Sequence, residues 1–129
     1  MARKELPDIE TLRASGEVVE ITELAREAGF AVPVFISNEL YEEISPESEL
    51  LFFGYDTRKA ISDLLKTVAR HTDGRDDPIL RMTHYLPVWN AAKGEIEVSE
   101  MEAAAGLFSF SPDGMFIIIS RWEDVRHAL

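Results

Sequence analysis

The sequence predicts an α+β domain: a small antiparallel sheet of three to four strands, packed against one amphipathic helix and shorter N-terminal helices. Three observations carry this. Residues 57–71 repeat apolar side chains at the spacing of one helix face, and residues 79–89 alternate from face to face as a strand does. Two apolar runs, 106–110 and 115–120, flank Ser111-Pro112-Asp113-Gly114, a turn sequence that reads as a C-terminal hairpin with a four-residue connection. At 129 residues the chain suits one domain, 1–129, with residues 1–16 as a loosely attached N-terminal segment.

Taken in order, Thr22 is placed to cap a short helix over 22–28, and Gly29 stands where a left-handed residue closes a helix. Val32-Pro33-Val34-Phe35-Ile36-Ser37 follows as an extended segment, in which proline indicates an edge or a strand start. Ser37 caps Asn38–Ile44, whose Leu40, Tyr41 and Ile44 share a face, and Ser45-Pro46 ends it. Asp56 or Thr57 caps the long helix over 57–71. Ala60, Ile61, Leu64, Leu65, Val68 and Ala69 form its apolar stripe, with Arg58, Lys59, Ser62, Asp63, Lys66, Thr67 and Arg70 turned outward. In the strand that follows, Leu80, Met82, His84, Leu86 and Val88 share one face and Ile79, Arg81, Thr83, Tyr85 and Trp89 the other. Ser99 and Glu102 have capping-box spacing ahead of Ala103-Ala104-Ala105, which predicts helical turns over 99–105, and Ser120 and Glu123 repeat that spacing before a short closing helix.

The absence of cysteine removes disulfides, thiolate metal sites and cysteine nucleophiles, and fits a reducing cytoplasm. No apolar run approaches the ~18 residues of a membrane helix, so neither a membrane anchor nor a signal peptide is expected. The net charge is −11, and residues 1–50 carry most of it, with 12 acids against 4 bases. Such a surface repels phosphate backbones, so direct nucleic-acid binding is not expected. There is no Walker loop and no G-x-G-x-x-G, and no cofactor is expected.

The most catalytic-looking text is Arg70-His71-Thr72-Asp73-Gly74-Arg75-Asp76-Asp77-Pro78. Basic residues suit the last turn of a helix, Asp73-Gly74 is a turn dipeptide, and Asp77-Pro78 precedes an extended segment, so a helix end and a turn account for every position. As a calcium loop starting at Asp73 it fails, because the glycine position falls on Pro78 and the final glutamate position on His84. A metal site would need His71, Asp73 and His84 to converge. His84 stands in an apolar row, where burial lowers its pKa and one ring nitrogen needs a hydrogen-bond partner. No catalytic residue is assigned.

The remaining cues concern contact with other proteins. Glu39, Glu42, Glu43, Glu47 and Glu49 form an acidic run without a base, Leu50–Tyr55 is crowded with apolar groups, and Tyr85 and Trp89 share the strand face opposite His84. If only one sheet face is covered, these aromatics join Trp122 in an exposed patch; otherwise they belong to a second layer of core.

The stretch 23–44, "ELAREAGFAVPVFISNELYEEI", followed by "RKAISDLLKTVAR", strands and a hairpin with Asp-Gly at its turn, resembles an uncharacterised bacterial domain family common in plasmid and mobile-element neighbourhoods. The resemblance implies a bacterial accessory protein and transfers no site. The leading expectation is a non-enzymatic cytoplasmic domain that self-associates and contacts a basic protein, in its sharper form an inhibitor that mimics nucleic acid. The alternative is a small metal-dependent hydrolase using His71, Asp73 and His84.

Overall fold

The computed structural model describes residues 16–72, 79–110 and 114–125. The chain runs β1 (Val18–Glu20), α1 (Thr22–Glu27), β2 (Val34–Ser37), α2 (Asn38–Ile44), α3 (Ser48–Phe52), α4 (Thr57–Thr72), β3 (Ile79–Asn90), β4 (Glu95–Phe110), β5 (Gly114–Arg121) and α5 (Trp122–Val125). The strands form one sheet in the order β1-β2-β5-β4-β3, which leaves β1 and β3 at its edges.

The architecture is α+β, but the sheet is mixed and has five strands. β2 and β5 run parallel, pairing Val34 with Ile117 and Ile36 with Ile119, while the other three pairings are antiparallel. Parallel pairing joins segments from the two ends of the chain, so no turn sequence announces it. β2 does begin directly after Pro33, yet it is an interior strand: the Pro33 carbonyl accepts a hydrogen bond from the Ile117 amide at 2.9 Å. A proline at the first position loses no ladder bond, which is how the chain accommodates it there.

Local chemistry explains the helix ends. In α1 the cap is Ile21, not Thr22. The Thr22 hydroxyl is instead buried and used between strands, donating to Glu20 Oε2 at 2.9 Å and accepting from the Val34 amide at 3.2 Å. The other end closes as expected. The Gly29 amide donates to the Arg26 carbonyl and the Phe30 amide to the Ala25 carbonyl, a Schellman closure that needs the positive φ of 99° at Gly29. Gly54 closes α3 in the same way, with amides of Gly54 and Tyr55 donating to the carbonyls of Leu51 and Leu50. Ser37 Oγ accepts from the Leu40 amide to start α2, and Asp56 Oδ1 accepts from the Lys59 amide at the head of α4.

The core lies between the helices and one sheet face. Ile61, Leu64, Leu65 and Val68 of α4 pack with Val34 and Ile36 of β2, Ile119 of β5, Ala103 and Ala105 of β4, and Leu80 and Met82 of β3. The register puts these strand residues on one face, because Met82 pairs with Ala103, Leu80 with Ala105 and Ala105 with Ile119. Burying each leucine or valine there contributes about 1.5–3 kcal/mol. On the opposite face a smaller buried group holds Val18, Phe35 and Phe116, with the two rings edge to face at 6.0 Å.

Two further expectations fail. Residues 99–105 are not helical but lie inside the 16-residue strand β4. The capping-box pair is put to cross-strand use: Glu102 accepts from Arg81 Nε and Thr83 Oγ1 on β3, and the alanines after it are buried where a small side chain suits the sheet. Thr67, expected to face outward, is buried. The C-terminal hairpin is present as the β4–β5 pairing, closed by Phe110 opposite Gly114, so Gly114 belongs to β5 and the connection has three residues, not the expected four. Its turn residues 111–113 lie outside the described residues.

Candidate functional site

Two regions carry more chemistry than the fold requires. The first is an open cleft of about 570 Å³ along α4 and β3, lined by Asp63, Lys66, Thr67, Arg70, His84 and Tyr85, with the small side chains of Ala28 and Ala69 making room. His84 is at its floor, 2 % exposed, put there by the inward phase of β3 between Met82 and Leu86. Its Nδ1 lies 2.8 Å from Thr67 Oγ1. This explains the buried threonine: one turn earlier on α4, the carbonyl of Asp63 lies 3.3 Å from the same hydroxyl, and Arg70 Nη2 approaches it at 3.5 Å. His84 lines the cleft, and its Nε2 has no hydrogen bond with a described residue.

Burial holds the His84 pKa below the ordinary imidazole value; the Asp63 carboxylate opposes this and the Arg70 guanidinium adds to it. The side chain is therefore neutral at neutral pH. Asp63 in turn accepts a hydrogen bond from Tyr55 Oη at 3.0 Å. That bond and the neighbouring carboxylate, after burial as the main cause, push the Tyr55 pKa above its ordinary value.

The two described histidines of the sequence reading do meet, through one residue. His71 Nδ1 donates to the main-chain carbonyl of Thr67 at 2.8 Å, while His84 takes the Thr67 hydroxyl. Both rings are thus anchored to α4 through Nδ1. Asp73, the third residue of the metal hypothesis, lies outside the described residues. Among the described residues no three histidine or carboxylate side chains group closely enough to hold a metal ion.

The second region is an aromatic ledge. Helix α3, which the sequence reading did not resolve, leaves Phe52 86 % and Phe53 60 % exposed. Phe53 stacks on Trp89 with ring centroids 6.2 Å apart, and Phe52 meets Phe53 edge to face at 5.4 Å. The patch continues over the outer face of the sheet, because Trp89 pairs with Ile96 and Pro87 with Val98, the latter 74 % exposed. Carboxylates border it: Glu49 lines the groove beside Phe52, Phe53 and Trp89, and exposed Glu100 pairs with exposed Tyr85 at the next position of the ladder. Glu39, Glu42, Glu43 and Glu47 are exposed as well, on and beside α2, where Glu43 reaches Arg121 at 3.9 Å. Trp122, grouped with these aromatics in the sequence reading, lies elsewhere in contact with Arg81, whose guanidinium is 5.0 Å from its ring centre.

No helix among the described residues is long and apolar enough to cross a membrane. The chain matches no family model, no curated protein and no solved structure.

Proposed function

We propose that this protein acts by protein–protein contact, and that the ledge of Phe52, Phe53 and Trp89 is its docking surface for a basic partner. One observation carries the reading: large aromatic side chains stay in water on a helix whose Leu50 is fully buried, so α3 is anchored by one residue while it presents the others. Exposed aromatic area of this kind supplies the central energy of interfaces, and a carboxylate rim selects partners by charge. A lysine- or arginine-bearing apolar segment satisfies both. Contact through aromatics favours this arrangement over pure mimicry of nucleic acid, which would need carboxylates alone. The bacterial accessory role implied by the sequence resemblance agrees with a domain that works by contact.

The test is site-specific photo-crosslinking in the producing cell, with the reactive group placed at Phe52 and, as control, at exposed Glu23 on α1. The expected result is one discrete adduct with a basic protein from position 52, weakened by high salt and by Glu49→Lys. Adducts with equal yield from both positions would refute the reading. An adduct with a second copy of the chain would replace the basic partner by self-association. The alternative of a hydrolase built on His71, Asp73 and His84 draws support only from the shared anchoring of the two imidazoles at Thr67.

A further inference from the structure

The cleft beside His84 shares no lining residue with the groove at Phe52, Phe53 and Trp89, and two cations line it. Arg58, Arg81, Lys93 and Arg121 each reach a carboxylate in an ion pair. Lys66 and Arg70, one turn apart on α4 and both lining the cleft, have no ion pair with any described carboxylate. In a chain of net charge −11, two exposed cations that, like Arg26 and Lys59, have no ion pair with a described carboxylate flank a buried imidazole lining the same space, and together they make a local positive site.

We propose that this cleft binds a small organic phosphate, with the phosphoryl group held by Lys66, Arg70 and the Nε2–H of His84. Thr67 sets the imidazole for this role. The Thr67 hydroxyl has one proton, for which the Asp63 carbonyl at 3.3 Å competes; when it is donated to Nδ1 across the shorter 2.8 Å contact, the ring proton sits on Nε2 as a third donor for the cleft. A guanidinium, an ammonium and a neutral N–H match the charge and the several acceptor oxygens of a phosphate monoester better than those of a carboxylate. Asp63, on the same wall, is the acceptor for a hydroxyl of the ligand, which is why an organic phosphate fits better than the bare ion. The volume suits a small metabolite. The groups that line the cleft with His84 from α4 are Asp63, Lys66, Thr67 and Arg70, so a bound anion acts on the imidazole in the same sense as Asp63 and against Arg70.

The experiment is an NMR titration of the histidine side chains, of which the chain has three, with glycerol 3-phosphate at constant ionic strength. Inorganic phosphate and acetate serve as comparison probes. Saturable movement of the His84 Nε2 and Cε1 signals, with the His84 titration midpoint shifted upward, is the expected result. Glycerol 3-phosphate binds most tightly and acetate least. Lys66→Ala with Arg70→Ala, both at exposed positions that leave the core intact, weakens binding at least about tenfold. Thr67→Val, which frees the ring to take either tautomer, weakens it less. Overturning results are a titration that never saturates, a response to acetate equal to that for phosphate, or full binding in the Lys66 and Arg70 double variant.

Discussion

Strand β3 presents opposite chemistry on its two faces, and the molecule's surface is organised around that difference. Inward, Leu80, Met82 and His84 are buried against α4, and the one polar member of the row is held by Thr67. Outward, Arg81 and Tyr85 are exposed, Thr83 and Trp89 are partly exposed, and Phe53 stacks on Trp89. The inner face binds its polar group to the fold; the outer face leaves apolar groups unbound. A side chain that the fold has satisfied contributes to stability, whereas an unsatisfied one on the surface contributes to association. Substitutions on the two faces should therefore separate stability from binding.

The largest effect is expected in the shared core. Leu64→Ala removes a side chain with no exposure and should destabilise the protein by about 2–5 kcal/mol in a urea titration. Thr67→Val should cost about 1–3 kcal/mol, since it keeps the shape but leaves His84 Nδ1 buried without a partner. That substitution also sharpens the comparison through pH. The folded state holds His84 below its ordinary pKa of 6.5, so it binds fewer protons there than the unfolded chain. His84 thus makes stability fall as pH drops from about 6.5 towards the depressed folded value, and level off below it. In His84→Leu this part of the acid-side slope disappears, which denaturation curves at several pH values would reveal. Ser37→Ala, which removes the cap of α2, should cost about 1 kcal/mol. Phe52→Ala should change stability by no more than about 0.5 kcal/mol while reducing partner capture, the reverse of what Leu64→Ala does.

Much of this contrast is legible in the sequence, because it depends on periodicity. The stripe of α4, the alternation of β3, the caps at Ser37 and Asp56 and the stop at Gly29 are local patterns, and the structure keeps each of them. Even the need of His84 for a partner follows from its place in an apolar row. What escapes is set by distant contacts. Thr67 reads as an outward polar residue until β3 brings an imidazole to it. Ser99 and Glu102 read as a capping box until Arg81 and Thr83 claim the carboxylate across the sheet. The parallel β2–β5 pairing has no local signature, and three-residue β1 is too short to show a period. α3 escapes because its exposed phenylalanines break the rule that apolar residues mark a buried face, and that breach is what supports the proposed docking surface.

The central claim, that the exposed aromatics of α3 bind a partner rather than hold the fold together, is tested most directly by placing Phe52→Ser and Phe53→Ser together in the chain. Thermal unfolding and the position-specific crosslink would then be measured on the same variant, with the reactive group at exposed Val98. The account predicts a melting temperature within a few degrees of the unsubstituted protein and loss of the adduct. An unchanged adduct, or a collapse in stability like that of Leu64→Ala, would contradict it.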